Sequence, residues 1–366
     1  MTPPISPVQR LRRAYEDRPE EALAQPLPIA GVTSNTVPWE LLRAAGFFPV
    51  LLSPPRGATP HADPYMEDVF CARIRGIFER LVSEEWSFLS LLVIPRTSEQ
   101  EHKLFLYVKE LVRLEPRRKL PRALLYNLLH TQTPEARAYG LERTRELAGV
   151  LSGGSLEKLR EAIAESNRAR DGVREFLRLR EDGRLAGSEA LPLIGAFYFM
   201  NRSEYADLAF AAARELAVRP RVRGPRLLLK GCPLDHPNLH RAIEAHGAIV
   251  AADDDWWGSR AAGRDIGCEG DLVETVFEKY YLDSPSPRVF PPTLADEWFL
   301  DAVARVDGVV FYLPPEDDVF GWDYPRQRVA LDQRRIPHLL IRTDASGEFA
   351  SECHDRIEEF VRRLEG

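Results

Sequence analysis

The chain has 366 residues, of which 44% are apolar and 29% charged, as is ordinary for a soluble globular protein. This length predicts two domains with a large core. A net charge of −7 argues against broad binding to nucleic acid or to an anionic membrane surface. No apolar run reaches the ~18 residues of a membrane-spanning helix and no signal-peptide pattern is present, so we expect a cytoplasmic protein. The four cysteines form no C-x-x-C pair and are expected to be reduced thiols.

The first half of the chain alternates predicted strands and helices after a polar, proline-bearing extension at residues 1–27. Short apolar runs predict buried strands, whereas apolar residues recurring every three or four positions predict helices. Residues 182–192 have the composition of a hinge-like break. The predicted strands cover residues 29–32, 47–52, 88–94 and 123–129, and the predicted helices cover 8–15, 37–45, 66–81, 103–114, 134–151, 155–180 and 203–217.

The second half repeats this alternation. Its predicted strands cover residues 227–229, 248–252, 308–313 and 338–342, and its predicted helices cover 238–246, 271–281, 295–306, 325–334 and 348–364. Strands alternating with helices predict an α/β protein with two doubly wound parallel-sheet domains of Rossmann or flavodoxin type, with long helices between them. We expect an N-terminal extension at 1–27, an N-terminal domain with a helical insert at 28–190 and a C-terminal domain at 191–366.

Three aspartates, two tryptophans and Gly-Ser-Arg follow the predicted strand 248–252. Ligands bind beyond the carboxyl ends of strands in open parallel sheets, so this edge is a candidate site. Asp253 and Asp254, with Asp255, could act as acid and base or bind a hard cation, or could cap a helix, pair with Arg260 or form a solvated turn. Trp256 and Trp257 could stack on a ring or pack between domains. Arg260 could clamp a phosphate or carboxylate, or pair with the aspartates.

Polar residues also follow two strands of the first half. Ser34 and Asn35, with Thr36, stand before a predicted helix that carries Glu40, and Ser98-Glu99 follows the strand 88–94. Hydroxyls and backbone N–H groups there could hold a thioester carbonyl or a phosphate, but ordinary helix capping explains them equally. The chain has no P-loop, no GxGxxG and no GxSxG. A Cys232, His236, His240 series has only part of a zinc-site spacing and lacks a fourth ligand.

Five segments carry a resemblance that spans residues 31–360. They are VPWELLRAAGFFPVLL (37–52), LEKLREAIAESNRAR (156–170) with Asn167 and Arg170, LKGCPLDH…DDDWWGSR (229–260), Asp-Gly-Val-Val (307–310) and RIEEF (356–360). Together, in this order and spacing, they resemble the 2-hydroxyacyl-CoA dehydratase family, which includes benzoyl-CoA reductase subunits.

The resemblance implies an acyl-CoA thioester substrate, a homologous partner subunit and a separate activator ATPase. It also implies a [4Fe–4S] cluster held by cysteines between two α/β domains. At the positions where the family carries its cluster cysteines, this chain has Ser34, Ser98-Glu99 and Glu316 or Asp317, and Cys71 is the one family-type cysteine left. Hydroxyls replace thiolates poorly in such clusters. We therefore expect this chain not to hold a conventional cluster of its own.

Three functional hypotheses follow. The chain is a subunit of an acyl-CoA dehydratase or reductase assembly, or a non-catalytic protein that binds a CoA ester or anion, or a cluster-independent enzyme that uses residues 253–255 with a divalent ion. The predicted catalytic residues are Ser34, Glu40, Asp253 and Asp254, the predicted substrate-binding residues are Asn35, Ser98, Trp256, Trp257 and Arg260, and the predicted metal ligand is Cys71.

Overall fold

The computed structural model describes residues 5–54, 57–67, 69–284, 286, 288–315, 317, 319–343 and 351–365. Across these residues, none of the helices combines the length and the apolar character needed to cross a membrane.

Two four-stranded, wholly parallel sheets organise the protein, and both have the same strand order. The first has the order β2-β1-β3-β4 and the second β6-β5-β7-β8. This confirms the predicted fold class of two doubly wound parallel-sheet units. The strands are β1 (Ile29–Val32), β2 (Phe48–Leu51), β3 (Leu89–Pro95), β4 (Arg122–Tyr126), β5 (Arg226–Gly231), β6 (Ile249–Asp253), β7 (Gly308–Tyr312) and β8 (His338–Ile341).

Among the described residues, fourteen helices cover the sheets and join them. They are α1 (Pro7–Glu16), α2 (Arg18–Leu23), α3 (Trp39–Ala44), α4 (Ala72–Val82), α5 (Glu99–Leu114), α6 (Pro134–Leu151), α7 (Leu156–Glu181), α8 (Gly187–Gly195), α9 (Arg202–Leu216), α10 (Asn238–Glu244), α11 (Leu272–Leu282), α12 (Thr293–Val303), α13 (Tyr324–Arg334) and α14 (Ser351–Glu365). Short 3-10 turns occupy Ala196–Tyr198 and Phe320–Trp322. The start of the predicted helix 348–364 lies partly outside the described residues.

The predicted break at 182–192 is too long, because residues 182–186 separate α7 from α8 and α8 fills the remainder. Its N-cap residue, Ala186, makes no side-chain capping bond. The carboxylate of Glu244 on α10 instead accepts hydrogen bonds from the backbone N–H groups of Gly187 and Ser188. A helix start needs acceptors for its free N–H groups, and here a distant segment supplies them. Local sequence therefore shows no capping signal.

Two further boundaries differ from prediction. Cys71 does not lie within a helix that starts at 66; it is the N-cap residue of α4, and its backbone N–H donates to Gln100 Oε1 at 2.8 Å. Helix α5 begins at Glu99 rather than 103, because Ser98 Oγ accepts a hydrogen bond from Glu101 N at 3.2 Å. The spacing Ser98-x-x-Glu101 is a capping-box signature, so the sequence contained this signal. Helix α2 was not predicted at all.

The apolar cores show how the two sheets are buried. In β5, Leu227 and Leu229 belong to a cluster with α10 and α14, whereas Leu228 faces a cluster with α12 and α13. Both faces of this sheet are therefore covered, as a parallel sheet requires. The large core of the first sheet also contains Trp256 and Trp257 from the second half, together with residues of α11. The domain limits given above remain a prediction.

The N-terminal segment bridges the two sheets. The Arg18 guanidinium donates to Ser53 Oγ at 2.8 Å, in the loop after β2, and to the carbonyl of Asp235 at 3.0 Å, in the loop after β5. Its centre lies 4.3 Å from the ring centroid of Tyr15 and 5.5 Å from that of Trp257. Residues predicted as a polar extension therefore hold together the edges of both sheets.

Candidate functional site

A cavity of about 130 Å³ lies where the carboxyl ends of the two sheets face each other. Loops after β3, β5, β6 and β7 line it, so it occupies the place where open α/β sheets bind ligands. Four predicted site residues belong to its wall, namely Cys71, Ser98, Trp256 and Trp257. The wall also contains Pro54, Ala72, Arg73, Ile74, Thr97, Gln100, Glu101, Cys232, Pro233, Asp235, Tyr312, Pro314, Asp317, Val319 and Phe320.

Three buried hydroxyls meet in the loops after β1 and β3, and one of them, that of Thr97, belongs to a residue of the cavity wall. Ser34 Oγ lies 2.7 Å from Thr36 Oγ1 and 3.2 Å from Thr97 Oγ1, and the two threonine oxygens are 3.1 Å apart. All three residues of this hydroxyl triangle are buried, and Ser34 is fully buried. The capping interpretation of Ser34 and Thr36 is wrong, because α3 has Pro38 as its N-cap residue and no side-chain capping bond. The hydroxyls bond to one another instead.

A buried ion pair stands beside the triangle. Glu101 is 1% exposed and accepts hydrogen bonds from Thr33 Oγ1 at 2.9 Å and from Thr97 N at 3.2 Å. Arg73 lies 3.4 Å from Glu101 Oε1 and donates to the carbonyl of Thr33 at 2.6 Å. These contacts join α4 and α5 to the ends of β1 and β3. The charges at this edge are therefore already paired within the protein.

Two thiols, those of Cys71 and Cys232, and the Asp317 carboxylate also line this cavity. Cys71 begins α4, while Cys232 follows β5 and its Sγ lies 3.4 Å from Asp317 Oδ1. Within the described ranges, no group of three or more His, Cys, Asp or Glu side chains is arranged to hold a metal ion. Glu316 lies outside the described residues. Soft thiolates are what an iron–sulfur cluster needs, and the triangle offers hydroxyls already engaged with one another. The described donor set does not fit a conventional cluster.

Trp256 and Trp257 pack in the protein core, and their predicted stacking on a ligand ring remains a prediction. They are only 6% and 3% exposed and belong to the large core, yet they also line the cavity. Trp257 packs edge-on against Tyr15 and Tyr198, with ring centroids 6.5 and 5.3 Å apart. Tyr198 donates to the carbonyl of Trp256 and accepts a 3.4 Å hydrogen bond from Asn35 Nδ2. Asn35 therefore lies behind the cavity wall.

The three aspartates point in different directions. Asp253 is held by Arg180 at 2.5 Å and has His240 Nε2 at 3.4 Å. Asp254 lies between Lys230 and Arg260, the latter at 3.0 Å. The Arg260 guanidinium also lies 4.9 Å from the ring centroid of Trp298. Asp253, Asp254 and Arg260 do not line the cavity, and their predicted roles as acid, base and anion clamp remain predictions.

Opposite pKa shifts separate Asp253 from Asp255. Burial, the largest single influence, would raise the pKa of Asp253, but the charges and hydrogen bonds of Arg180 and His240 together lower it. Burial, and then the charge of Asp253, raise the pKa of Asp255 to about 7. Asp255 accepts hydrogen bonds from the backbone N–H groups of Leu234 at 3.1 Å and Trp257 at 2.8 Å. It therefore links the loops after β5 and β6 while keeping a proton at mildly acidic pH.

We expect wild-type stability to fall, relative to the Asp255→Asn variant, as pH rises from 4 to 8. Unfolded aspartate releases its proton near pH ~4, whereas folded Asp255 keeps it up to about 7, so the folded state binds more protons in this window. The stabilisation is complete below the unfolded pKa and is lost as pH rises through the folded one, by a few kcal/mol. Urea unfolding at several pH values measures it. If the unfolding free energies of the wild type and the variant changed in parallel with pH, the raised pKa of Asp255 would be contradicted.

Glu40 lies outside the cavity, in a buried cluster behind α3. It is fully buried, pairs with Arg170 on α7 and accepts a hydrogen bond from Tyr280 OH at 2.8 Å. Asn167 extends the cluster by donating to the carbonyl of Ile266 at 2.9 Å. Glu40 and Ser34 therefore belong to two different buried groups, and the catalytic role predicted for Glu40 remains a prediction.

The comparisons with known proteins agree with this architecture. Residues 35–364 match the sequence profile of the family described as 2-hydroxyglutaryl-CoA dehydratase, D-component. The chain belongs to this family. The matched region includes both sheets except β1, which ends at Val32, so the dehydratase family assignment covers every residue of the cavity wall. Ser34 lies just before the matched region.

Three curated relatives are similar to this dehydratase-family chain. The beta subunit of (R)-phenyllactyl-CoA dehydratase from Clostridium sporogenes is 21% identical over 339 residues, covering 89% of each chain. Subunit beta of (R)-2-hydroxyglutaryl-CoA dehydratase from Acidaminococcus fermentans is 21% identical over 358 residues, covering 93% of each. A putative dehydratase subunit, YjiM, from Escherichia coli is 27% identical over 224 residues, covering 57% of this chain and 58% of the relative.

Sequence reasoning missed a second, larger cavity. It has a volume of about 590 Å³, adjoins the first through Pro54 and Asp235, and has aromatic walls that include Trp86 and Phe199. Its charged side chains are largely paired, as with Arg18 and Asp235 at 3.7 Å. None of the predicted site residues lines it. No local motif marks these residues, because they come from five separate segments that only the fold brings together.

Proposed function

We propose that this chain is a subunit of a 2-hydroxyacyl-CoA dehydratase or reductase assembly that acts on an acyl-CoA thioester without holding a conventional [4Fe–4S] cluster itself. The observation that supports it is the hydroxyl triangle of Ser34, Thr36 and Thr97 within a chain of this family. In this proposal a homologous partner subunit carries the cluster. An activator ATPase would serve that partner.

The acyl-CoA part of the proposal rests on the two adjoining cavities. The smaller one, about 130 Å³, suits the reacting end of a thioester, and the larger one, about 590 Å³, suits an extended apolar or aromatic portion. Trp256, Trp257 and Ile74 would exclude water from the smaller cavity. Nearby cations such as Arg73 and Arg260 are paired with carboxylates, so the CoA phosphates would lie outside these cavities.

Iron analysis of the isolated chain tests the cluster-free proposal. The wild type and the Cys71→Ser and Cys268→Ser variants would be purified anaerobically, incubated with ferrous iron and sulfide, desalted and assayed for both elements. Cys71 lines the cavity whereas Cys268 is exposed, which makes Cys268→Ser the matched control. We expect no stoichiometric iron in any of the three. Iron and sulfide in cluster proportions that disappear only in Cys71→Ser would contradict the proposal.

The acyl-CoA proposal needs its own measurement. Ala72→Phe would fill the smaller cavity from the first turn of α4, and Ala330→Phe on α13 adds the same ring away from it. Titration calorimetry of acyl-CoA with the chain bound to its homologous partner is expected to show weaker binding only for Ala72→Phe. Equal affinities in the two variants would exclude the cavity as the thioester site.

A non-catalytic role in binding a CoA ester is the second candidate. It is favoured by the ion pair Arg73–Glu101 in the cavity wall and by Arg260–Asp254 outside it, because these charged groups are already engaged with one another rather than free for acid–base chemistry. The catalytic and non-catalytic roles can be distinguished by measuring turnover in a complex of this chain, its homologous partner and the activator. If removal of this chain abolishes turnover and Ala72→Phe changes kcat, the subunit has a part in the reaction; unchanged kcat supports the binding role.

A further inference from the structure

A third cavity, small and polar, lies behind α3. It shares no wall residue with the cavities of about 130 and 590 Å³ described above. It has a volume of about 20 Å³ and is formed where α3, α7 and the start of α9 meet. Trp39, Arg43, Ser166, Asn201 and Arg202 contribute polar groups to its wall. Arg43 is already paired with Glu165, with Nε and Oε2 3.4 Å apart. About 10–15 Å³ suffices for one water-sized particle, so a monatomic ion fits and a phosphate does not.

Arg202 is a buried cation without a carboxylate partner. Its side chain lies between two aromatic rings, with the guanidinium carbon 4.5 Å from the Trp39 centroid and 3.2 Å from that of Phe197. The residue is 8% exposed, and its Nη1 has no hydrogen-bond partner among the described residues. The described part of the chain also places no carboxylate oxygen within ion-pair distance of it. Aromatic faces compensate such a charge only in part.

The neighbouring charges leave one positive charge in excess. Glu40 would be the natural counterion, but its oxygens bind Arg170 and Tyr280. Lys279 pairs with Asp283 at 3.5 Å. Three buried cations thus share two carboxylates. Burial, followed by Arg170, lowers the pKa of Arg202 to about 10, which still leaves the guanidinium charged at neutral pH.

The wall offers hydrogen-bond donors. Trp39 Nε1 can only donate, and it has no partner within the described residues. Asn201 Oδ1 already accepts from the backbone N–H groups of Ser203 and Glu204 at the start of α9, which leaves its amide NH2 as a donor. Buried donors without acceptors are costly unless a ligand satisfies them. We propose that this cavity binds a single monatomic anion of chloride size between Trp39 and Arg202.

Bromide diffraction tests the site on the wild-type protein. Crystals soaked in sodium bromide, measured at the bromine absorption edge, are expected to show an anomalous peak in contact with Trp39 Nε1 and Arg202 Nη1. Bromide can replace chloride and is distinguished from water by this signal. A site that contains only water, with no anomalous peak while other bromide sites are visible, would overturn the proposal.

A solution experiment gives a second measurement. Thermal unfolding would be followed in sodium chloride and in sodium gluconate at equal ionic strength, because a ligand of the folded state raises Tm by mass action. Chloride is expected to raise the wild-type Tm over gluconate. Trp39→Phe keeps the ring over Arg202 but removes the N–H, and should weaken apparent chloride affinity by about tenfold.

Trp86→Phe is the matched control, since Trp86 is also buried but lines the large cavity. It should retain the wild-type chloride response. The same chloride response in Trp39→Phe as in Trp86→Phe, or none in the wild type, would contradict an anion bound to Trp39.

Discussion

Replacing Glu40 with glutamine is expected to lower the free energy of unfolding by about 3–5 kcal/mol, because it leaves the Arg170 guanidinium buried without its counterion. The two side chains are 0% and 3% exposed, so water cannot replace the lost carboxylate. The variant also removes the charge that compensates Lys279 and Arg202 nearby. Urea or thermal unfolding of the purified chain measures the loss.

Glu358→Gln is the matched control for this prediction. Glu358 pairs with Arg362 at 2.7 Å on α14, but the two side chains are 50% and 69% exposed. Exposed pairs contribute little, so we expect a change within about 0.5 kcal/mol. Similar losses of unfolding free energy in the two variants would show that burial does not determine how much each ion pair contributes to stability.

The effect of Glu40→Gln should also depend on pH. Burial alone would raise the pKa of Glu40, but Arg170 and the hydrogen bond from Tyr280 hold it below its usual value. A lowered folded pKa means that the stabilisation is present above the unfolded pKa, near ~4.3, and is lost as pH falls through the folded pKa. The difference between wild type and variant should therefore shrink in acid. A constant difference would contradict the ion-pair explanation.

Gly231→Ala is expected to destabilise the protein by about 3–5 kcal/mol. Gly231 ends β5 with φ +127°, and an added Cβ would lie 2.1 Å from the carbonyl oxygen of Tyr312 on β7. The two strands would have to separate at the cavity, where Cys232 and Tyr312 form part of its wall. Chemical denaturation measures the stability.

Gly149→Ala provides the control for this substitution. Gly149 lies near the end of α6, has nothing within 4 Å of an added Cβ and has no positive φ. Alanine favours a helix over glycine by about 0.5–1 kcal/mol, so this variant should be neutral or slightly stabilised. Equal unfolding midpoints for Gly231→Ala and Gly149→Ala would refute the strain argument.

Charged residues of the segments that carried the family resemblance are largely paired with one another. Glu40 lies in the segment 37–52, and Asn167 and Arg170 close the segment 156–170; all three meet in the buried cluster behind α3. Asp253 is paired with Arg180, and Asp254 with Lys230 and Arg260. The sequence shows which charged residues these segments contain. Whether those residues bind a ligand or one another depends on their burial and on the partners that the fold places beside them.

What the sequence determined by itself was the class of fold and the family. Apolar runs alternating with amphipathic helices predicted the strands and most helices, because strand burial and helix amphipathicity are local patterns. The parallel arrangement followed from the helix between successive strands. The residues after the strands also pointed to the edge where the cavity lies, since Ser98, Trp256 and Trp257 all line it.

Only the tertiary structure decided what those residues do at that edge. Glu244 starts α8 from another helix, the hydroxyls of Ser34 and Thr97 meet although 63 positions separate them, and Arg18 joins both sheets. Each of these contacts joins segments far apart in the chain, and their energies depend on exclusion from water. The local sequence does not show which residue a polar group contacts or how deeply that group is buried. It could therefore identify the polar groups at this edge, but not that most of them form hydrogen bonds or ion pairs with one another.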